Sequence, residues 1–287
     1  MKFSTALSTL VLATAVAAAP SPSRRHVNSP RLLEKLRQRR AERSAAKRSD
    51  LVRLDRPLAV NFTSLDDVIT INNPDHVDYS SNWAGAVIIG SDITKVTGTF
   101  TIPTVSIPSG GSSSTEYGAS AWVGIDGDTC ETAILQTGVD FLIEGSETAY
   151  EAWYEWYPDY SYTFSDFDVA PGDVITATVV STSTVAGTAT IENQSTGEST
   201  THTFSNEASL GALCETNAEW IVEDFESSSE LIPFADFGSV TFSDASYVAG
   251  GSTKSISGET IIDVKQSGEV VTDVTVSGSE VTVTYTG

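Results

Sequence analysis

Three short stretches hold the side chains that could do chemistry. The first, Tyr150-Glu151-Ala152-Trp153-Tyr154-Glu155-Trp156-Tyr157-Pro158, mixes carboxylates with aromatic rings. As a strand it places Glu151, Trp153, Glu155 and Tyr157 on one face and Tyr150, Ala152, Tyr154 and Trp156 on the other. That pattern suits either a groove that grips a polymer or a core strand with a wet acidic face. The second stretch is Asn217 to Glu226, in which Glu219, Ile221, Glu223 and Phe225 share a face. A carboxylate set among apolar neighbours has a raised pKa, as general acid–base chemistry needs. The third runs from Trp122 to Cys130 and on through Ile134-Leu135-Gln136-Thr137-Gly138. Gln136 there sits inside an apolar run. A buried amide must find partners for both its C=O and its NH₂, and loop backbone is the usual source.

Other chemistries are set aside by what the chain lacks. Its three histidines include His26 and His76, both upstream of the acidic body, so His202 alone cannot build a multi-histidine metal site. No G-x-S-x-G occurs, which counts against a serine hydrolase. Asp126-Gly127-Asp128 begins like a calcium loop, but the remaining ligands and the turn glycine are missing. No glycine-rich phosphate loop is present, and an acidic body repels nucleic acid. No metal or cofactor is expected.

The elements that must position these residues are strands. Val96–Ile102, Ile175–Val179, Thr188–Ile191, and the pairs Val274/Val276 and Val281/Val283/Tyr285 alternate apolar and polar residues. Turn residues such as Ser277-Gly278-Ser279 and Ser195-Thr196-Gly197 separate them. The pattern predicts an antiparallel all-β sandwich or barrel with one face of many strands wet. Ser109–Ser114 reads as an exposed, flexible loop.

Upstream the composition changes. Residues 1–19 have a basic start, an apolar run and a small-residue cleavage site, the features of a secretory signal. Residues 20–76 form a basic segment whose end falls somewhere between 48 and 77. Within it Leu32, Leu33 and Leu36 stand at helical spacing, and Lys47-Arg48 is a dibasic pair. Thirteen of the 16 Lys and Arg lie at or before Arg56. Seven of the 38 acids precede Val77, leaving 31 in the body against Lys95, Lys254 and Lys265. Such a like-charge excess repels itself at neutral pH and relaxes where carboxylates near pKa ~4 begin to protonate. We therefore expect a protein secreted into acid, with residues 77–287 as one domain and the basic segment as a detachable inhibitor. No other stretch is apolar enough to span a bilayer, and a monomer is expected.

Cys130 and Cys214 both lie in the body of a secreted chain, so a disulfide is expected. Each precedes one candidate residue, Gln136 or Glu223, by a short distance, so the bond would draw the two strands together. Asn61-Phe62-Thr63 and Asn193-Gln194-Ser195 are sequons, candidate glycosylation sites.

Five segments together resemble the glutamic peptidases, the eqolisins of fungi. They are Ser81-Asn82-Trp83-Ala84-Gly85, Ala121–Gly127, Thr132–Gly138, Trp153–Pro158 and Asn217–Phe225, in that family's order. The resemblance implies a concanavalin-A-like sandwich of two antiparallel sheets. It implies an acid endopeptidase acting on proteins or peptides through a Gln136–Glu223 dyad. Trp122, Asp126, Glu155 and Tyr157 match positions lining the family's cleft. The aromatic–acid strand and the face of Glu223 add Glu151, Trp153 and Phe225 as expected substrate-binding residues. Some relatives are cut into two chains in the loop matching Ser109–Gly118, which is short here.

The dyad is chemically coherent. Glu223 can take a proton from a water that attacks a peptide carbonyl, while the Gln136 NH₂ donates to the developing oxyanion. Two other readings remain at this level: a glycoside hydrolase using carboxylates such as Glu155 and Glu223, and a carbohydrate-binding lectin. A basic prosegment counts against both, since neither must be kept silent during secretion.

Overall fold

The computed structural model describes residues 26–43, 77–227 and 230–287. The signal at 1–19, the Lys47-Arg48 pair, Asn61 and the end of the basic segment lie outside the described residues.

The chain begins with α1 (Pro30–Arg43), followed by β1 (Val77–Ser80), β2 (Trp83–Ile89), β3 (Ile93–Thr101), β4 (Glu116–Ile125), β5 (Ile134–Glu144) and β6 (Glu147–Tyr157). Then come β7 (Tyr162–Thr163), β8 (Val174–Ser183), β9 (Ala186–Asn193), β10 (Glu198–Phe204), β11 (Asn217–Glu223), β12 (Glu226–Ser227) and β13 (Glu230–Leu231). The last are β14 (Ser239–Ala249), β15 (Ser252–Ser255), β16 (Thr260–Gln266), β17 (Glu269–Val270), β18 (Thr272–Ser277) and β19 (Glu280–Tyr285).

Two large sheets result. One has the order β1-β16-β2-β11-β4-β5-β6-β7, with β17 beside β16. The other runs β10-β9-β8-β3-β14-β19-β18, with β15 beside β14. β1 lies parallel to β16, and the long strand pairs are antiparallel. The expected alternation is there: β8 and β9 turn Ile175, Ala177, Val179, Ala189 and Ile191 inward, all fully buried. On the outer face threonines pair across strands, as in Thr97–Thr178 and Thr190–Thr201 at 2.7 and 2.8 Å. The main core lies between the sheets and includes Phe100, Phe141, Trp156, Trp220 and Phe242.

The first sheet is buried on its outer face too, and this face matters for function. A second apolar cluster, Trp83, Val87, Trp122, Ile134, Trp153, Ile221 and Ile262, lies there, separate from the main core. Glycines make room for it. A β-carbon at Gly138 would collide with the Ala121 carbonyl oxygen and the Trp122 Cβ, and one at Gly124 would come within 2.9 Å of the Trp122 ring, so both positions need glycine for the tryptophan to pack as it does.

The leucine spacing in the basic segment does produce a helix. Pro30 occupies the first turn, where a missing N–H costs nothing. The Ser29 carbonyl accepts from the Leu33 N–H at 2.9 Å, and Ser29 Oγ accepts from the Leu32 N–H at 3.4 Å. Leu32 and Leu36 are completely buried against Leu142, Ala149, Phe225 and Ile232 of the body. Arg31 pairs with Glu144 and Glu147, Lys35 with Glu116 and Glu144, and Arg37 with Glu151.

Candidate active site

Strand register fixes which side chains share the outer face. One row across the sheet is Val87, Glu219, Gly124, Gln136 and Glu155. The next is Ile221, Trp122, Gly138 and Trp153, and the third is Trp83, Glu223, Ser120, Asp140 and Glu151. Gln136 and Glu223 therefore stand on one face, on β5 and β11, with β4 between them. Trp122 of β4 occupies the row between theirs.

Gln136 is fully buried, and neither its Oε1 nor its Nε2 has a hydrogen-bond partner among the described residues. A buried amide with both ends idle is costly, of order 1–3 kcal/mol per group. Glu223 is nearly as buried, but it is held. Its Oε2 accepts from the Trp122 indole N–H at 2.9 Å, and its Oε1 lies 3.4 Å from the Asn82 Nδ2 donor. Trp122 is fixed in turn by an edge-on contact with Trp83, 4.9 Å between ring centroids at 78°. Asn82 was not among the expected site residues. Its signal was its place in the turn before β2, where the Asp224 N–H also donates to its carbonyl.

Glu219 is the most confined acid on this face. It is fully buried, with the backbone of Asp128 beside it. Burial pushes its pKa well above the ordinary carboxylate range, and the charges of Asp128 and Asp126 push the same way. It is the carboxylic acid that the apolar spacing of β11 foreshadowed, and it stays protonated in acid.

The expected binding residues take different posts. Glu155 lies directly opposite Gln136 and is almost wholly buried. Trp153 packs in the apolar floor and donates its indole N–H to Ser120 Oγ at 3.2 Å. Tyr157 packs half-buried against the same floor. Glu151 is paired with Arg37 of α1 at 3.0 Å. Phe225 lies under α1, its ring over Gly118, where a β-carbon would come within 2.9 Å.

Asp126 has a structural post just past the end of β4. It is completely buried at φ +68°, and its carboxylate accepts the backbone N–H groups of Cys214, Glu215, Thr216 and Asn217 at 2.7–3.1 Å. Its oxygens are committed to that turn, so it braces the site instead of lining it. The Cys130–Cys214 disulfide forms as expected, with Cα atoms 6.0 Å apart. Disulfide and carboxylate together tie the turn before β5 to the turn before β11. Asn193, the sequon residue within the described residues, has a structural post too. It is fully buried, donates to Asp173 at 2.8 Å and accepts from the N–H groups of Ser195 and Thr196. A glycan on that nitrogen has no room in this fold.

The profile of the Peptidase A4 family matches residues 81–285. The chain belongs to the peptidase A4 family, the eqolisins. It is 52% identical to aspergillopepsin-2 of Aspergillus niger over 299 residues, covering 99% of this chain and 100% of that one. Scytalidopepsin B of Scytalidium lignicola is 44% identical over 199 residues, 67% of this chain and 73% of that one. Among solved structures, scytalido-glutamic peptidase with a transition state analog inhibitor superposes at TM-score 0.65 with 46% identity, covering 71% of this chain and 98% of that one. Aspergilloglutamic peptidase from Aspergillus niger gives TM-score 0.57 and 62% identity over 59% of this chain and 99% of that one. This eqolisin is thus a glutamic endopeptidase on a two-sheet sandwich, and the glycosidase and lectin readings fall away.

Proposed function

We propose that this eqolisin is a secreted acid endopeptidase working through Gln136 and Glu223. The observation that carries the reading is the buried Gln136 amide with both ends idle, on the same face as a carboxylate held by Trp122 and Asn82. An unspent donor and acceptor in an apolar floor are what a developing oxyanion and an attacking water require. In the first step a water oxygen bonds to the peptide carbonyl carbon, and its proton passes to Glu223. The carbonyl oxygen gains the negative charge and accepts from the Gln136 NH₂. In the second step the C–N bond breaks, Glu223 returns its proton to the departing amine nitrogen, and the carbonyl re-forms as a carboxylic acid. Neither step forms a covalent bond between enzyme and substrate.

The basic segment serves as inhibitor in this reading. Its helix α1 lies on the catalytic face, and its ion pairs draw on the body's acid excess. Expression with the signal at 1–19 delivers the protein to the medium, where acid removes those pairs.

The test is digestion of denatured protein in acid. Glu223→Gln should abolish turnover, and Gln136→Ala should cost ~10²–10³ in kcat, the usual loss for one oxyanion donor. Wild-type rates from both variants would refute the dyad. An active Gln136→Ala beside a dead Glu155→Gln would transfer the chemistry to a carboxylate pair.

A further inference from the structure

The seat of α1 is continuous with the catalytic face, and its composition goes beyond what blocking requires. Continuing the rows past Glu223, the next is Gly118, Leu142 and Ala149, and the one after is Glu116, Glu144 and Glu147. Phe225 lies over the first of these rows. Leu32 and Leu36 fill it, and Arg31 and Lys35 meet the second. Arg37 reaches back to Glu151, a member of the same row as Glu223. The site thus has an apolar floor of Leu142, Ala149, Phe225 and Ile232 and a rim of four glutamates. The segment before the helix also engages the border of β6. Asn28 donates to the Tyr150 carbonyl at 3.1 Å and accepts from the Tyr150 N–H at 3.0 Å, and the Ser29 N–H donates to the Thr148 carbonyl at 2.9 Å. The Ser29–Thr148 contact is main chain to main chain, whereas the Asn28 amide reads the Tyr150 backbone with its side chain, so side chains and pockets give the site its selectivity.

We infer that this seat, once α1 leaves, is a distal substrate site that captures basic, leucine-bearing segments of polypeptide substrates and tethers them beside the catalytic face. This inference rests on the reading that α1 is released before catalysis. Charge complementarity names the occupant: on a body with 31 acids against three lysines, a segment of the Arg-Leu-x-x-Lys-Leu-Arg type meets carboxylates at each basic position and apolar floor at each leucine. A second copy of the body would bring like charge to this rim and is disfavoured. A tethered substrate gains effective concentration at the scissile site without any new contact there. Its signature is therefore a lower KM at constant kcat.

The experiment uses the secreted enzyme after its own acid processing, at about pH 5, where carboxylates near ~4 remain ionised. Two substrates are compared: a short chromogenic peptide, and the same peptide joined by a Gly/Ser linker of about ten residues to the sequence of residues 29–38. The expected result is a KM roughly tenfold lower for the extended substrate. That ratio should fall to about one when Glu144→Gln and Glu147→Gln are combined. It should fall likewise when the two leucines of the extension matching Leu32 and Leu36 are replaced by serine. A KM ratio of one for the unaltered enzyme, or a gain that survives both changes, would overturn the inference.

A second measurement covers a failure of processing. In the full chain made inert by Glu223→Gln, Leu32→Asp with Leu36→Asp vacates the seat. A labelled 29–38 peptide should then bind at least tenfold tighter than to the Glu223→Gln chain with its own leucines. Equal binding overturns the site. Hydrolysis of the short peptide, and its loss in Glu223→Gln, reports separately on the dyad.

Discussion

The indole N–H of Trp122 donates to Glu223 Oε2 at 2.9 Å, from the strand that separates Glu223 from Gln136. The tryptophan thus reaches the proposed base from beside the proposed oxyanion donor. Trp122→Phe keeps most of the ring and removes the N–H. A hydrogen bond to a charged group is worth ~1.5–3 kcal/mol, so kcat should fall about 10- to 100-fold with KM little changed. Asn82→Ala, which loses only the 3.4 Å contact, should cost less. Steady-state kinetics on a short peptide decide this, and an unaltered kcat in Trp122→Phe would remove the tryptophan from the mechanism.

Asp126 should matter to stability more than its place in a turn suggests. Asp126→Asn would aim an NH₂ at a turn that presents four backbone donors. The expected loss is at least ~2–3 kcal/mol, since a buried network then contains unmatched donors. Urea unfolding measures it. Removing the Cys130–Cys214 bond, which closes a separation of 84 residues, should cost up to ~4–5 kcal/mol by loop entropy. Because both ties hold the same turn, the double change should cost less than the sum.

Two buried acids make the fold prefer acid. Burial raises Asp263 from 3.8 to about 6, against the opposing hydrogen bond from Thr272. Complete burial also raises Glu219 well above the ordinary carboxylate range. A raised native value means that the folded chain holds a proton the unfolded chain has lost. Stability is therefore full below the unfolded value and falls as pH rises from there through the native one. Asp263→Asn should raise the melting temperature at pH 7 and leave it unchanged near pH 3.5. Glu219→Gln should show the same asymmetry. Scanning calorimetry at both pH values checks this; an equal shift at both would mean packing, not charge, is at work.

Docking of α1 should have the opposite dependence. Hydrogen bonds from Lys35 and Arg31 lower the Glu144 pKa, and those from Ser29 and Arg31 lower that of Glu147. A value lowered by docking gives attraction that is present above the ordinary carboxylate range and lost as pH falls through the docked values. A peptide of residues 21–56 added to processed enzyme should inhibit at about pH 5–6 and not at about pH 3. High salt should weaken it at the upper pH, because exposed pairs are screened within ~8–10 Å. An inhibition constant indifferent to both would sink the electrostatic account.

Strands β4, β5 and β11 are buried on both faces and show no alternation. The strands of the second sheet were legible because one side of them is wet: Val274, Val281 and Val283 announce a period of two without any knowledge of their partners. The helix was legible for the same reason, at Leu32 and Leu36. Gln136 stood out as an amide in an apolar run. What stayed hidden depends on partners distant in sequence. Asp126 looks like a loop carboxylate until it meets backbone donors 88 to 91 residues on. Phe225 shares a face with Glu223, but its cover is a helix contributed by the other end of the chain. Asn193 satisfies a sequon pattern that says nothing of the turn its own side chain builds.

The parallel strand β1 has a bearing on how the molecule behaves in company. Val77–Ser80 lies along Ile261–Val264 as the outermost strand of the catalytic sheet. An uncovered sheet border offers a row of free N–H and C=O groups to any passing chain. A cut upstream of Val77 leaves those groups occupied. A cut past Ser80 bares β16 and turns each molecule into a template for the next. These four residues thus hand the sheet's border from the seven-residue β16 to a strand of only four, and a short border is a poorer template for another chain.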